Sequence, residues 1–416
     1  MKLTQVPVML LCLVFLLSCK SIQPNRKKSI TYRNLFSEAG YSKDSIDHKI
    51  QSTFTQLFFG DKEREAICYF SGRNQAGELA YILDVNNNDV RSEGMSYGMM
   101  IAVQMDKKEL FNALWNWSKT YMYHGDSAHP AFGYFAWSLK TSGVANDEMP
   151  APDGEGYFAT ALYFAAARWG NGTGIYHYKK EAGQLVSQMK NRKQITGLAM
   201  GRKMTGLSLF DSAHAMVRFT TNLPDANHTD ASYHLPAFYE VWAANAPQDD
   251  QAFWKRAADS SRSYLQKAAH PLTGLTPDYG NFDGSPWAAP WRAESATFSY
   301  DAWRSAMNWS VDWSWWKKDA AAIERSNRIL VFFKKQGMVN YGNQYSLEGK
   351  MLAGGQPVGL LACNATVALA ADQGIATDFI HAFWKCNIPT GRYRYYDSML
   401  MMMGLLHCSG NFKVYL

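Results

Sequence analysis

The chain has 416 residues, of which 47% are hydrophobic and 19% charged, so it is not a disordered, collagen-like or coiled-coil protein. Its formal net charge of +6 comes from residues 1–33, which hold six Lys or Arg and no acidic residue, whereas residues 34–416 are neutral overall. Proteins that bind phosphate backbones carry a basic face on their folded part. Nucleic acid is therefore excluded as an expected partner.

The first residues are typical of a bacterial export signal. Lys2 precedes an apolar run at residues 6–17 that is short for a membrane span. The run ends at Leu16-Leu17-Ser18-Cys19, which resembles a lipobox, so we predict a lipoprotein signal peptide at residues 1–18 and lipidation of Cys19. Residues 19–36 are then a basic tether, and we expect a periplasmic or outer-membrane protein that touches a membrane only through its lipid. A plain signal peptide with a chance cysteine is the alternative, and the membrane leaflet stays open.

From residue 37 onward, apolar residues recur at helical spacing almost throughout the chain. The predicted helices cover residues 44–58, 93–105, 110–121, 157–167, 179–190, 233–245, 250–268, 295–316, 318–336, 357–371, 376–385 and 394–408. Strand patterns are scarce, and the best one is Leu79 to Leu83. About a dozen helices without a composition break predict one all-α domain at residues 37–416.

Four long connections separate these helices, and they are rich in Gly, Pro, Asp and aromatic residues. They lie at residues 124–155, 219–232, 269–294 and 339–356. Loops of this length in a compact domain are usually functional or disordered, and their aromatic content argues against disorder. We therefore expect the loops to build a groove at one end of the domain.

Three acidic residues lie where a loop meets a predicted helix. Glu93 is next to Gly94, and Gly98 follows four residues later, so one face of this helix is bare and can pack closely. Asp153 lies in a turn framed by Pro and Gly, and Asp301 precedes another helix. Taken singly, each is an ordinary helix-start or turn carboxylate.

Taken together, four motifs in this order resemble those of glycoside hydrolase family eight. The motifs are Ser92-Glu93-Gly94-Met95-Ser96-Tyr97-Gly98-Met99-Met100, Ala151-Pro152-Asp153-Gly154, Ser232-Tyr233-His234-Leu235-Pro236 and Tyr300-Asp301-Ala302-Trp303-Arg304. The resemblance runs from about residue 40 to the C-terminus. Within the family, the chain is most similar to the reducing-end xylose-releasing exo-oligoxylanases, through residues 93–105, 151–159, 233–240 and 270–275.

This resemblance implies an (α/α)6 barrel and hydrolysis of a β-1,4-linked sugar chain with inversion at the anomeric carbon. It implies that Glu93 is the general acid and Asp301 the general base. The other residues that it assigns to the site are Asp153, which would contact the sugar in the central subsite, Tyr233, which would help to hold the attacking water, and Arg304 and Tyr396, which would line the same site.

The chemistry sets two demands on the acid and the base. Their carboxyl groups must stand roughly 6.5–9.5 Å apart, because a water molecule attacks between the base and the sugar. Glu93 must also hold a proton, although the start of a helix favours its anion. We expect burial among Tyr and Trp side chains, together with the charge of Asp153, to raise its pKa. Two carboxyl groups suffice for this chemistry, so no cofactor or metal is expected.

Aromatic side chains are the expected platforms for the apolar faces of sugars. Trp137, just before a loop rich in Gly and Pro, is the preferred candidate. The other candidates are Tyr134, Trp287, Trp291, Tyr341 and Tyr345, whereas Trp115, Trp117, Trp315 and Trp316 are expected in the core. His234 is expected to orient Tyr233 or to bind a backbone carbonyl rather than to catalyse.

The cysteines show no spacing typical of a metal site. Beyond the signal peptide and Cys19, the chain has Cys68, Cys363, Cys386 and Cys408. We expect buried free thiols, with one disulfide as the alternative.

One stretch departs from the pattern of the exo-oligoxylanases. These enzymes carry a Leu-His-Pro turn that closes the groove beyond the reducing-end sugar, whereas this chain has Gly355-Gln356-Pro357, preceded by an insertion at residues 351–354. The leading hypothesis is release of xylose from the reducing end of xylo-oligosaccharides. An endo-xylanase, endo-glucanase or chitosanase of the same family is the alternative, and a non-catalytic sugar-binding lipoprotein is the rival from another class. The preference for xylose over glucose and the oligomeric state stay open.

Overall fold

The computed structural model describes residue 1, residues 30–338 and residues 340–416. The predicted signal peptide and Cys19 lie outside the described residues. The folded unit is Tyr32–Leu416, which begins earlier than the predicted boundary at residue 37. The reason is a short helix, Leu35–Glu38, that is capped by the Asn34 side chain and buries Leu35 and Phe36, so the last residues of the predicted tether belong to the domain.

All twelve predicted helices are present, and the short helix Leu35–Glu38 makes thirteen α-helices among the described residues. The helices are α1 Leu35–Glu38, α2 Lys43–Phe59, α3 Ser92–Gln104, α4 Lys108–Trp117, α5 Pro152–Trp169, α6 Tyr178–Asn191, α7 Pro236–Asn245, α8 Gln248–Ala268, α9 Trp303–Trp316, α10 Ala321–Gln336, α11 Val358–Val367, α12 Gln373–Trp384 and α13 Arg394–Cys408. Two of them begin later than predicted, because separate single turns of 3-10 helix, at Ala231–Tyr233 and Tyr300–Ala302, precede α7 and α9.

Six helices form a closed inner ring. Each of α3, α5, α7, α9 and α11 packs against the next odd-numbered helix, and α13 packs against α3. The outer layer consists of α2 on α13, α4 on α3, α6 on α5, α8 on α7, α10 on α9 and α12 on α11. Inner helices are buried on every side, as in α5, whereas outer helices bury one stripe, as in α10. The predicted (α/α)6 barrel is confirmed.

The strands are short and lie in the connections between helices. They are β1 Cys68–Asn74, β2 Gly77–Ile82, β3 Val90–Arg91, β4 Ser138–Leu139, β5 Ala145–Asp147, β6 Ile195–Ala199, β7 Arg202–Gly206, β8 Phe210–Asp211, β9 Met216–Val217, β10 Thr229–Asp230, β11 Tyr279–Gly280, β12 Gln344–Tyr345 and β13 Met351–Ala353. β3, β4 and β5 form one antiparallel sheet, and the others pair as β1–β2, β6–β7, β8–β9, β10–β11 and β12–β13.

The strand expected at residues 79–83 is found as β2, whereas the hairpin β6–β7 was not predicted. Its turn residues Met200 and Gly201 have φ values of 53° and 69°. Two successive positive φ angles are typical of the tight turn that matches the twist of a hairpin, but Met is not a residue that signals it.

Glycines bring the first turns of three inner helices together. A Cβ atom at Gly154 of α5 would stand 2.5 Å from the Ser92 hydroxyl, and one at Gly94 of α3 would stand 2.7 Å from the Tyr395 hydroxyl. Real Cβ atoms do not approach so closely, so any other residue at either position would force a neighbouring group to shift. A Cβ atom at Gly98 would stand 3.0 Å from the Ile82 side chain, which confirms the close packing predicted for this face.

Among the described residues, no helix is both long and apolar enough to cross a membrane. The four cysteines in this part of the chain are free thiols. Burial raises the pKa of Cys68, Cys363 and Cys408 to about 12, so these thiols are unreactive near neutral pH.

Candidate active site

Arg304, in the first turn of α9, binds all three acids that the sequence singled out. Its Nη1 donates to Asp153 Oδ2 at 2.8 Å and to Glu93 Oε2 at 3.1 Å. Its Nη2 donates to Asp301 Oδ1 at 2.6 Å and to the Ser232 hydroxyl at 3.0 Å. Arg304 is only 1% exposed. It is therefore a buried hub of the site and more than the local partner of Asp301.

The acid and the base that the resemblance implies lie in one site. Glu93 and Asp301 bind different nitrogens of one planar guanidinium, so the bound oxygens are no more than about 8 Å apart. Inverting hydrolysis requires carboxyl groups roughly 6.5–9.5 Å apart. The two acids are thus close enough to act on the same glycosidic bond.

Glu93 is the second residue of α3, and its side chain is 15% exposed. Its Oε1 accepts a hydrogen bond from the Tyr395 hydroxyl at 2.9 Å. Burial raises the pKa of Glu93 to about 7; the charges of Asp153 and Asp301 also raise this pKa, whereas Arg304 and Arg91 lower it. Burial and Asp153 were the causes expected from the sequence. A large fraction of Glu93 therefore holds a proton near neutral pH, as a general acid requires.

The other predicted residues surround this pair. Asp153, at the start of α5, is 3% exposed, and burial raises its pKa while Arg304 opposes the rise. Tyr233 lines the same cleft wall as Asp301. The Tyr396 hydroxyl donates to the backbone carbonyl of Tyr300 at 3.0 Å and so supports the turn that carries Asp301.

Two arms of one cleft meet at the acids. The arm that we name the Trp137 arm has a volume of about 510 Å³, and the arm that we name the Tyr393 arm has about 580 Å³. Asp153, Tyr233, Trp137 and Trp291 line the first, and Tyr300, Trp303, Pro357, Tyr393 and Tyr396 line the second. The four residues shared by both arms are Arg91, Glu93, Arg292 and Asp301. An extended ligand that occupies both arms therefore passes Glu93 and Asp301 at the junction.

The aromatic candidates divide between cleft and core. Trp137 lines its arm with the Arg91 guanidinium 5.5 Å from its ring, and Trp291 is 55% exposed in the same arm. Trp287 stacks on His228 at 3.7 Å, behind Trp291.

Three tyrosines that were expected to contact sugar are instead in the core, because helix packing buries them completely. They are Tyr134, Tyr341 and Tyr345. The core positions predicted for Trp115, Trp117 and Trp315 are confirmed, and Trp316 is half-buried.

His234 does not act as expected. Its ring nitrogens face the hydroxyls of Thr229 at 3.0 Å and Ser261 at 2.9 Å, rather than Tyr233 or a backbone carbonyl. The backbone of Tyr233 is instead held by the hydroxyl of Tyr239, at 3.0 Å. Burial lowers the pKa of His234 to about 3, so the ring is neutral near neutral pH.

Several residues of the site were missed by the sequence analysis. Tyr395 stands beside the predicted Tyr396 at the start of α13, so the tyrosine pair was an available signal. Arg91 is held near Glu93 by ion pairs to Asp84 at 3.2 Å and Asp89 at 3.1 Å. Arg292 and Asp278 lie in a long loop, where no periodicity distinguishes them.

In residues 30–338 and 340–416, no group of three or more His, Cys, Asp or Glu side chains is arranged to hold a metal ion. The side chains at the junction are carboxyl, guanidinium and phenol groups. This set supplies a proton donor, a proton acceptor and fixed hydrogen bonds for a neutral, hydroxyl-rich ligand.

Comparison with known proteins identifies the family. The model described as "Glycosyl hydrolases family 8" matches residues 80–410. A reducing-end xylose-releasing exo-oligoxylanase of Paenibacillus barcinonensis, Rex8A, is 42% identical over 92% of this chain and 97% of its own, and one of Bifidobacterium adolescentis is 34% identical over 91% and 96%. The crystal structure of a GH8 xylobiose complex from Teredinibacter turnerae has a TM-score of 0.91 and 58% identity, covering 92% of this chain and 98% of that one. The chain belongs to glycosyl hydrolase family 8 and is a glycoside hydrolase.

Proposed function

We propose that the protein is an inverting glycoside hydrolase that cleaves β-1,4-xylosidic bonds of xylo-oligosaccharides and releases xylose from the reducing end. The observation that carries the proposal is the pair Glu93 and Asp301 on one guanidinium at the junction of two arms. One member has its pKa raised to about 7, and the other is open to both arms.

The proposed reaction uses the two acids on opposite faces of one sugar. The oligosaccharide lies across both arms, with the bond to be cleaved beside Glu93. Glu93 gives its proton to the leaving oxygen. A water molecule held by Asp301 and Tyr233 attacks the anomeric carbon from the other face, and Asp301 takes the proton of the water. The new hydroxyl therefore has the α configuration. Arg304 holds the Asp301 and Asp153 carboxylates in place through its hydrogen bonds.

The relatives support xylose as the sugar. The two curated relatives described above are named for release of xylose from the reducing end of oligoxylans, at 42% and 34% identity. The Teredinibacter turnerae protein, at 58% identity, forms complexes with xylobiose and xylohexaose. The alignments with these proteins cover more than nine-tenths of this chain.

Endo cleavage of longer chains is the second candidate, because the segment that would close the Tyr393 arm is small. Apart from the glycine itself and its neighbours in the chain, no described residue has an atom within 4 Å of where a Cβ atom would stand on Gly354 or Gly355. Pro357 is the residue of segment 351–357 that lines this arm. Moreover, the 58% identical Teredinibacter turnerae protein is described as a xylanase in complex with xylohexaose.

The test is a time course on xylotriose to xylohexaose that carry an isotope label in the reducing-end unit. Exo action predicts labelled xylose as the first small product from every substrate, one unit at a time. A ladder of labelled fragments of mixed length would contradict the exo mode and support the endo candidate. NMR should show the α-anomer first at the new reducing end of the shortened oligosaccharide, since early β-anomer there would mean retention. Glu93→Gln is the inactive control, and turnover by neither protein would favour the sugar-binding rival.

The same assay on cellotriose to cellohexaose tests the endo-glucanase alternative, and on chitosan oligomers it tests the chitosanase alternative. We expect little cleavage, because glucose carries a hydroxymethyl group that each subsite would have to accommodate. Faster turnover of either series than of the xylo-oligosaccharides would contradict xylose as the preferred sugar.

The proposal includes export as a lipoprotein with its lipid on Cys19. It rests on Leu16-Leu17-Ser18-Cys19 and the basic residues that follow. Mass spectrometry of the mature N-terminus from a membrane fraction should find a diacylglyceryl Cys19. Cys19→Ser should move the protein out of that fraction, and an unmodified N-terminus would contradict the lipid anchor.

A further inference from the structure

Asp278 lies directly before β11, behind the turn that carries Asp301. Its side chain is completely buried. Its Oδ1 accepts a hydrogen bond from the backbone N–H of Ala302 at 2.9 Å. Its Oδ2 accepts from the Ser299 hydroxyl at 2.6 Å and from Arg292 Nη2 at 2.8 Å. Three donors thus hold both oxygens of one carboxylate.

Two of these donors flank the general base in sequence. Ser299 is two residues before Asp301, and Ala302 is the residue after it, so the Asp278 carboxylate binds both ends of the single 3-10 turn Tyr300–Ala302. The N–H of Ala302 also donates to the carbonyl of Ser299 at 2.8 Å, so Asp278 shares the donor of the turn's own hydrogen bond. The clamp by Asp278 thus fixes the backbone of the turn, while Arg304 holds the Asp301 carboxylate itself at 2.6 Å.

Asp278 is itself fixed through its backbone. Its N–H donates to the carbonyl of Thr297 at 3.0 Å, and its carbonyl accepts from the N–H of Ala231 at 3.1 Å. Ala231 begins the turn that carries Tyr233. The backbone of Asp278 thus connects the segment that presents the base with the segment that presents the predicted water-holding tyrosine.

The third donor extends this network to the substrate cleft. Arg292 lines both arms next to Asp301, and its guanidinium also lies 3.3 Å from the Ser299 hydroxyl. Asp278 has no exposed surface, and its two oxygens are occupied, so it is not placed to take a proton from water in the cleft.

We propose that Asp278 is a positioning residue for the general base, which holds the Asp301 carboxylate in the orientation for attack and links it to Arg292 at the junction of the two arms. This rests on the proposed hydrolysis. Asp278 touches no sugar, so its effect should fall on turnover rather than on binding of the oligosaccharide.

The test is a pair of double-mutant cycles around Asp278→Asn. Asn puts an amide N–H₂ group where Oδ2 faces two donors, so the clamp is broken with little change in volume. We expect kcat to fall by about 100-fold while KM changes by less than about threefold. In the Asp301→Asn background, the same substitution should cost nothing further, because there is no base left to orient.

The second cycle uses Glu93→Gln and dinitrophenyl β-xylobioside, whose leaving group needs no proton. Here the effect of Asp278→Asn should multiply with that of Glu93→Gln, because the two act on opposite faces of the sugar. Asp312→Asn is the matched control: Asp312 is also a buried aspartate paired with an arginine, Arg262 at 2.7 Å, but on the outer side of α9. It should lower the melting temperature and leave kcat within about threefold of wild type.

Two results would overturn the proposal. One is a kcat of Asp278→Asn within about threefold of wild type, and the other is an equal loss with and without Asp301. If Asp278→Asn does not fold, Ser299→Ala removes a single donor and should show a smaller loss, again only when Asp301 is present. The first cycle is run on whichever oligosaccharide the wild-type enzyme hydrolyses, and the dinitrophenyl glycoside of the second is made from the same sugar, so a wrong sugar or a wrong exo mode does not affect them.

Discussion

The two acids at the junction are held by opposite kinds of structure. Glu93 belongs to an inner helix of the barrel, and all the residues of α3 that follow it are buried. Asp301 belongs to a single turn between a long loop and α9, and its side chain is 27% exposed, compared with 15% for Glu93. The Glu93 carboxyl is therefore part of the helical barrel. The Asp301 carboxyl is part of the connections that build the cleft, which we name the loop layer.

This difference matches the tasks proposed for them. A general acid must keep its proton until the leaving oxygen arrives, and burial in the helix layer raises the pKa of Glu93 to about 7. A general base must reach a water molecule, and an exposed carboxylate on a loop can do so. Substitution of Glu93 should therefore affect only proton donation, whereas substitution of Asp301 should affect the attack of the water molecule.

Asp301→Asn should have the largest effect, because it removes the base for every substrate. We expect kcat on xylotriose to fall by at least about 10⁴-fold, with an equal loss on dinitrophenyl β-xylobioside. Binding, measured by calorimetry on xylotriose, should stay within about tenfold of wild type. Fast hydrolysis of the activated substrate by this variant would remove Asp301 from the base role.

Glu93→Gln should lose about 10³-fold or more on xylotriose, since the leaving sugar needs a proton. The activated aryl glycoside should recover most of the rate, because a dinitrophenolate leaves without one. The ratio of the two rates, compared with that of Asp301→Asn, is the measurement. An equal loss on both substrates would mean that Glu93 is not a proton donor, and the distinction between the two carboxyl groups would then fail.

The same contrast explains what the sequence could predict. Helical periodicity predicted all twelve barrel helices, because an inner or outer position in a barrel imposes a local repeat on the sequence. The places where a loop meets a predicted helix singled out Glu93, Asp153 and Asp301, whereas the roles expected for them came from the resemblance to the family.

The loop layer was less predictable, because its contacts join residues that are distant in sequence. The clamp of Asp278 on Ser299 and Ala302 spans more than twenty residues of irregular chain. The hub role of Arg304 needs acids from α3, from α5 and from the 3-10 turn before α9 together. Tyr341 and Tyr345 were placed in the groove because loop aromatics and core aromatics have the same composition.

Gly94→Ala tests the helix side of the comparison. The new methyl group would stand 2.7 Å from the Tyr395 hydroxyl, so that ring must shift and its hydrogen bond to Glu93 is lost. We expect kcat to fall by about tenfold, and Tyr395→Phe should lose a similar factor without a steric cause. Gly98→Ala is the control: it meets flexible aliphatic chains and should lower the melting temperature more than the rate.

Arg91→Met should give the smallest effect, and its signature is a shift of the pH profile. Arg91 lowers the pKa of Glu93, so removing its charge should raise that pKa. The acid must be protonated, so kcat/KM of the wild type should decline as pH rises through about 7, and this decline should begin at higher pH in Arg91→Met. Near neutral pH, the rate should change by only about threefold. Arg91→Lys keeps the positive charge and should keep the wild-type profile, whereas a shift of the Met variant to lower pH would mean that charge near Glu93 does not govern its proton.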